Sequence, residues 1–523
     1  MMVRSNSQLL ACKSIDKLVT ESESPEHQLS KSLGSWSLAA LGIGAIIGSG
    51  IFVLTGTAAA GEQFAAPSVL HAQVMDLVLN LVRTGSTSGA LMHGRPPAGP
   101  SIAISFLLVA IACSFCALCY AELASMIPIA GSAYTYAYAI LGEIIAWIIG
   151  WDLILEYAVS NVAVVVGFSG YLKAQLSAFG LHLPDKWSSS VFVGEHWTGN
   201  YFNIPAFLTI VVLTLLLVRG IRESARANNV MVVVKIGAIL MFLVVGGMLV
   251  NPANWVPFAP SGIGGVVTGG AIVFFTYIGF DSVSTAAEEC RQPQKDLPFG
   301  IIVSLIVCTI LYVGVAIVLL GMMKYTTFAS GRASEAPVAY ALQYLGARPF
   351  YRSMIIVGAL AGMVSSLLVY QYGQTRIWYA MSRDGLLPRF FSKVHPKYKT
   401  PHWATWIACI AVGLPAGFLD IGDAADLSNI GTLFAFILVS VGVILLRRSQ
   451  PDRPRSFRVP FVPWFPLMGV ILCTILMSGL TVITWLRFFV WLGIGLAIYA
   501  FYSRRHSEFA TGAAQGNSKK LSV

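Results

Sequence analysis

Twelve apolar stretches alternate with short polar segments between Leu33 and Tyr502. They lie at 34–61, 98–127, 136–174, 204–219, 226–250, 262–288, 297–323, 351–381, 402–419, 428–447, 463–484 and 486–503. About 20 apolar residues suffice for a helix to cross a bilayer core. The pattern therefore predicts an all-α membrane protein with one polytopic domain of twelve transmembrane helices over 34–503. The third stretch is too long for one straight crossing and is expected to project past the bilayer. Residues 1–33 ("KLVTESESPEHQLSKS") are polar and mixed in charge and read as a disordered cytoplasmic tail; 504–523 read as a second cytoplasmic tail. Between the first two spans, 62–97 form an insertion on the extracellular side. Its first half can make an amphipathic helix through Val69, Val74, Leu77 and Leu81. Its second half is rich in Gly, Ser, Thr and Pro and is expected to be mobile. Segment 335–346 reads as a short helix ahead of the eighth span.

Composition supports the membrane reading. Hydrophobic residues make up 56% of the 523 residues and charged residues 11%, against roughly 25% charged in soluble domains. With the N-terminus inside, the loops 219–229, 289–297, 382–401 and 447–462 hold fifteen Lys and Arg, whereas 251–261 and 420–427 on the other side hold none. Positive charge concentrates in cytoplasmic loops, so both termini are expected in the cytoplasm and the net charge of +10 reports topology. Nucleic acid is excluded as a partner, because the basic residues are scattered among short loops. The run "CSFCALC" (Cys113, Cys116, Cys119) sits in mid-helix with no histidine and no fourth ligand nearby, so no metal is expected there.

Two spans break the pattern. The first reads "LGIGAIIGSGIF", with Gly42, Gly44, Gly48 and Gly50 inside an apolar run. Each interior glycine costs a helix about 1 kcal/mol relative to alanine. Five spans later, the sixth reads "GGAIVFFTYIGFDSVSTAAEE", with Gly279 and Asp281 in mid-span. Interrupted spans at matching positions of two five-helix halves point to an inverted repeat, spans 1–5 and 6–10, with two spans appended. Non-helical backbone within the bilayer is tolerated only where it lines a cavity or is buried in protein. Breaks at 44–50 and at Phe275 to Gly279 therefore predict a polar site at the midplane. The half-helix beginning near Ser49 offers amides and a positive dipole end that suit a carboxylate. Carbonyls near Ile46 suit an ammonium group. Together they complement a zwitterion such as an α-amino acid. The alternative is that Gly44 and Gly48 form a GxxxG packing motif.

Ionisable residues inside spans mark function by default. Asp152 and Glu156 lie one turn apart on span 3, Lys235 lies on span 5 and Asp281 on span 6. Lys235 has two possible jobs, as a static partner of Glu156 or Asp281, or as a titrating group that takes the place of a coupling cation. Glu122, Glu143, Glu288 and Glu289 lie near helix ends and are assigned structural roles.

The motifs "LGIGAIIGSGIFVLTG", "CYAELASMIPIAGSAYTYAYAILGEIIAWIIGWDLILEYAV", "IGFDSVSTAAEECRQPQKDLPFGI", "YGQTRIWYAMSRDGLLP" and "RSFRVPFVPWFPL" resemble the cationic amino acid transporter family of the amino acid–polyamine–organocation superfamily, and its bacterial members most. The resemblance covers about Leu33 to His506 apart from 62–97. It implies a five-plus-five inverted repeat with broken helices 1 and 6, and secondary-active uptake of L-amino acids, usually driven by protons. It implies that the substrate carboxylate meets the amides of Gly48, Ser49 and Gly50. The α-amino group would meet the carbonyls of Ile46, Phe275 and Ile278 beside Gly279, with Phe275 and Phe280 as aromatic gates. Lys235 matches the lysine that replaces a sodium ion in proton-coupled relatives. Tyr370 and Gln371 are side-chain selectivity candidates on span 8, with ordinary packing as the alternative.

The sequence thus predicts a proton-coupled amino acid permease of the plasma membrane, working by alternating access without a cofactor. Asp152, Glu156, Lys235 and Asp281 are its proton-coupling candidates. An amino acid or polyamine exchanger is the near alternative. An intramembrane enzyme is remote, since Asp152 and Glu156 share one helix and the broken spans would go unexplained.

Overall fold

A computed structural model describes residues 11–15, 33–63, 69–84, 94–129, 131–193, 196–219, 224–329, 332–396, 398 and 400–507. The remainder of both predicted tails and the 64–68 and 85–93 parts of the insertion lie outside the described residues. Span 1 comprises Ser35–Ile46 and Gly50–Ala60, two pieces bent by 43°. Then follow span 2 (Ile102–Met126), span 3 (Glu143–Ala178), span 4 (Ile204–Arg219) and span 5 (Ser224–Gly247). Span 6 begins as Gly262–Val273 and resumes as Asp281–Glu289. Spans 7 to 10 are Pro293–Met322, Pro349–Arg383, His402–Phe418 and Ile421–Ser449. Span 11 is Trp464–Ser478 and span 12 Val482–His506. Nine of the twelve are long and apolar enough to cross a membrane, counting span 1 as one bent pair. Spans 4, 9 and 11 are shorter apolar helices. Their 15 to 17 residues reach about 23–26 Å at 1.5 Å per residue.

The inverted repeat is visible in which spans touch. The largest helix contacts are span 3 with 8 and with 10, span 2 with 7, span 5 with 8, and span 1 with 7; spans 4 and 9 also pack together. Exchanging each span in one half with its equivalent five places along maps 3·10 onto 8·5 and 1·7 onto 6·2, a contact also present. The pairs 2·7, 3·8 and 4·9 map onto themselves. An internal two-fold axis requires this. Large side chains left exposed concentrate on peripheral spans, for example Leu208, Val212 and Leu216 of span 4, Val233 and Val244 of span 5, and Phe489 of span 12. Those faces meet lipid.

Two expectations are corrected. The third stretch is two helices, a separate Ser132–Ile140 and then span 3, because Gly142 adopts φ +93 and turns the chain between them. The tail is not wholly loose. Residues 11–15 dock on the end of the bundle that holds residues 33 and 506, hereafter the base. There Lys13 pairs with Asp384 at 2.8 Å, its amide donates to the Tyr138 carbonyl, and Ile15 is buried.

The predicted structural acids are satisfied. Glu122 accepts from Arg447, at 2.8 Å and 2.7 Å, and from the Val459 amide, and sits 3.2 Å from Arg455. Glu143 accepts from the hydroxyls of Tyr138 and Tyr499. The side chains of Glu288 and Glu289 lie outside the described residues. Cys113, Cys116 and Cys119 are buried and free, with Cys116 Sγ 3.5 Å from Cys473 Sγ of span 11. The short helix before span 8 is present as Pro337–Tyr344.

Candidate functional site

The break in span 1 is narrower than the glycine cluster. The first half-helix runs unbroken through Gly44 to Ile46, Ile47 leaves helical geometry, and helix resumes at Ser49. The glycines also permit close packing. A Cβ on Gly44 would lie 2.9 Å from Asn228 Oδ1, one on Gly48 3.0 Å from Ser366 Oγ, and one on Gly50 2.6 Å from Thr276 Cγ2. The packing reading therefore holds at Gly44, Gly48 and Gly50, and the chain also leaves helical geometry at Ile47 and Gly48. In span 6, helix ends at Val273, a tighter turn covers Phe274–Tyr277, and Ile278 is extended. Gly279 has φ +117, which only glycine adopts without strain, and a Cβ there would touch Ala45 at 3.0 Å. The two breaks thus face each other in contact.

Free carbonyls at the end of the first half-helix need donors. Lys235 Nζ supplies two, to Gly44 at 2.8 Å and Ile47 at 3.0 Å. Ser366 Oγ approaches the carbonyls of Gly44, Ala45 and Ile47 at 3.1, 3.1 and 3.3 Å. Tyr312 of span 7 places its hydroxyl 2.9 Å from the carbonyl of Ile46 and 2.9 Å from that of Thr276, and so bridges both breaks. The Gly48 amide donates to the Ile46 carbonyl at 3.0 Å, and the Ile278 amide to that of Phe275 at 3.3 Å. Several groups expected to hold a substrate therefore hold each other in this structure. Ser49 is fully buried, and its hydroxyl points toward Ala163 of span 3. Its amide and that of Gly50 open the second half-helix, where the first amides lack intrahelical acceptors.

Among the described residues Lys235 forms no ion pair or hydrogen bond with Glu156 or Asp281. Its partners are backbone carbonyls, so the static-pair expectation is replaced. The ammonium sits at a helix C-terminus, where positive charge is favoured. Tyr370 and Gln371 separate cleanly. Tyr370 donates to the Ile278 carbonyl at 2.8 Å and meets Tyr157 edge-on. Gln371 turns the other way and donates to Thr214 of span 4 at 2.6 Å, so it does not belong to the site. Adjacent helix residues lie about 100° apart, which is why one faces the break and the other a neighbouring span. Phe275 is buried at the break, while Phe280 packs on Tyr120 of span 2 and Phe436 of span 10.

The acids form a second layer toward the base. Asp281 opens the second half of span 6, within electrostatic reach of Glu156 and of Tyr120, Tyr136, Tyr157 and Tyr370. Asp152 and Glu156 of span 3 face span 10; a Cβ on Gly431 would lie 2.7 Å from Asp152 Oδ1. Both Asp152 oxygens and Glu156 Oε2 are buried without a hydrogen-bond partner among the described residues. Sequence reasoning missed Tyr312, Ser366 and Tyr157. Tyr312 had a signal, as the one hydroxyl in the run "LYVGVAIVLL" of span 7; the serine had none.

Facing breaks inside an inverted repeat, with charged groups buried around them, define a multi-pass membrane transporter and not an enzyme. The chain belongs to the amino acid permease family, whose model matches residues 33–501. It is 46% identical over 496 residues to the branched-chain amino acid permease BcaP of Bacillus subtilis (strain 168), covering 95% of this chain and 98% of that protein. It is 43% identical to the methylthioribose transporter of the same organism, over 96% and 99% of the two chains. It is 34% identical to the vacuolar cationic amino acid transporter 4 of Arabidopsis thaliana, over 85% of this chain and 68% of that one.

Proposed function

We propose that the protein carries neutral L-amino acids, branched-chain ones foremost, by proton-coupled symport across the plasma membrane, with both termini cytoplasmic. The observation that carries this reading is Lys235 Nζ seated on the Gly44 and Ile47 carbonyls at the span 1 break. The amides of Gly48, Ser49 and Gly50 would take the substrate carboxylate, and the carbonyls of Ile46, Phe275 and Ile278 its amine. A protonated Lys235 satisfies the helix-end carbonyls and fixes the first half-helix. Loss of that proton removes the charge that strengthens both hydrogen bonds and loosens the break. Proton and substrate then favour the same arrangement of span 1, which is the thermodynamic content of coupling. Asp152, Glu156 and Asp281 are candidate proton carriers toward the base; Asp152 and Glu156 hold buried oxygens without a hydrogen-bond partner among the described residues, which would be costly as carboxylates.

Side-chain chemistry supports a neutral solute. The side chains that reach the break carbonyls are Lys235, Ser366, Tyr312 and Tyr370, with Phe275 and Ile278 buried beside them, and none of these offers a carboxylate to a basic side chain. The loop charges support the orientation, and the B. subtilis BcaP relative supports the substrate class. The methylthioribose relative favours a second reading, a thio-sugar carried on the same scaffold. The experiment is uptake into proteoliposomes of labelled leucine, lysine, alanine and methylthioribose, with and without an imposed pH gradient. Accumulation of leucine driven by an inward proton gradient is expected. Leucine uptake that needs preloaded amino acid and ignores the gradient would establish exchange instead. Uptake of methylthioribose alone would overturn the amino acid reading.

A further inference from the structure

The insertion between spans 1 and 2 holds a piece of built machinery that the transport reading leaves unused. Directly after span 1, Glu62 and Gln63 pair with Arg95 and Gly94 in a two-residue antiparallel ladder. Gly61 turns there at φ +74, so tightly that a Cβ would lie 2.6 Å from the Arg95 carbonyl. The chain then runs over the top of span 6, where the Pro97 carbonyl would lie 2.7 Å from a Cβ on Gly265 and the Ala98 methyl 2.8 Å from one on Gly269. From the other arm of the insertion, Gln73 accepts from Thr268 of span 6 at 2.9 Å. Residues 72–74 are stitched to Leu480 and Val482 between spans 11 and 12.

Arg95 is thereby fixed to spans 1 and 6. Its guanidinium forms a bidentate pair with Asp426 of span 10, Nη1 to Oδ1 at 3.0 Å and Nη2 to Oδ2, and both residues are buried. Asp426 lies ten residues before Phe436, which packs on Phe280 beside the break, or about 15 Å along the helix. Below it Asn429 donates to the Ala271 carbonyl of span 6 at 2.8 Å, and above it Asp423 pairs with Arg487 of span 12 at 2.8 Å. Spans 1, 6 and 10 cover the breaks on this side, and the contact of span 6 with span 10 continues down to them. Ser49, Gly50 and Phe275 are all buried, so a solute reaches them only after these spans part. Spans 1 and 6 cannot part from span 10 while the pair holds.

We propose that Arg95 and Asp426 are the outer lock of the transport cycle, with residues 94–98 as the strap that carries Arg95 across the top of span 6. The proposal rests on the breaks being the solute site, but it does not depend on which solute is carried. The pair opens when the outer path opens and re-forms behind the bound solute. Neutralising it shifts the balance toward the open form. A buried bidentate pair suits a lock because it is geometrically specific and leaves two costly unpaired charges when parted only partway.

The test uses the full chain in proteoliposomes, with exposed Cys12 replaced by serine and a reporter Val53→Cys, a position 2% exposed in the second half of span 1. A membrane-impermeant thiol reagent is added outside. Arg95→Gln and Asp426→Asn are each expected to speed labelling about tenfold, within the usual range of conformational coupling. The exchanged pair Arg95→Asp with Asp426→Arg should return the rate toward that of the parent. Separately, Arg95→Cys with Asp426→Cys joined by a short bis-maleimide should stop leucine uptake, while either single cysteine treated the same way continues to transport. Unchanged labelling in folded single variants, or normal uptake by the cross-linked protein, would overturn the lock. Should the parent carry no amino acid, the labelling comparison still decides the lock, so the two failures remain distinct.

Discussion

Gly50→Ala tests whether the contact between the two breaks sets transport. The added Cβ would lie 2.6 Å from Thr276 Cγ2, 3.0 Å from its Cα and 3.1 Å from its Cβ. Thr276 cannot swing aside freely, because its hydroxyl donates to Val273 at 2.7 Å and its carbonyl accepts from Tyr312. Inserting a methyl into such a contact costs about 1–3 kcal/mol. Since about 1.4 kcal/mol is tenfold, leucine uptake efficiency should fall by about tenfold or more. Thr276→Ser removes the nearest atom and keeps a hydroxyl for Val273, so the remaining contacts are 3.0 Å and longer. The double variant should recover about 1 kcal/mol as a coupling between touching sites. Gly237→Ala in span 5 is the control, with no atom within 4 Å of the new Cβ; it should be neutral or stabilising by up to about 1 kcal/mol. Uptake rates in proteoliposomes are measured beside thermal unfolding of the purified protein. Parental transport by Gly50→Ala, or no recovery in a folded double variant, would refute the contact as the cause.

Lys235→Met should abolish uptake driven by a pH gradient while leaving some gradient-independent counterflow; full uptake with the parental pH profile removes Lys235 from coupling. Tyr312→Phe leaves the carbonyls of Ile46 and Thr276 without their shared donor and should destabilise by about 1–3 kcal/mol; an unchanged denaturation midpoint would contradict the bridge. Tyr370→Phe should raise the KM for leucine, whereas Gln371→Leu should leave KM alone and change only thermal stability. A larger KM effect at Gln371 would reverse the assignment of the two.

Much of this architecture was legible because lipid imposes a simple rule on sequence. Every crossing must satisfy its own backbone, so helices announce themselves as long apolar runs. The same rule made both interruptions visible, since broken backbone is tolerated only with glycines and polar neighbours, as at Gly48 and Gly279. Lys235, Asp281 and the paired acids of span 3 stood out because charge in a bilayer is rare. The boundary between Ile140 and Glu143 was missed because both sides of it are apolar and the turn is local to Gly142.

The partners were not legible. Nothing in the order of residues says that Lys235 ends on carbonyls of span 1 and not on Glu156, or that Tyr370 meets Ile278 while Gln371 meets Thr214. Those choices depend on how the helices rotate and pack against each other, which periodicity in an all-apolar helix leaves open. The insertion shows the same division. Its sequence yields an amphipathic helix and a polar tract, while the contact between Arg95 and Asp426, 331 residues apart, exists only after spans 1, 6 and 10 have assembled. The chain alone thus set the number of spans, the places where two of them break and the charges that lipid would not otherwise tolerate. Tertiary packing decided which donor fills each broken end and which residue closes the entrance, because a hydrogen bond or ion pair is fixed by distance in space.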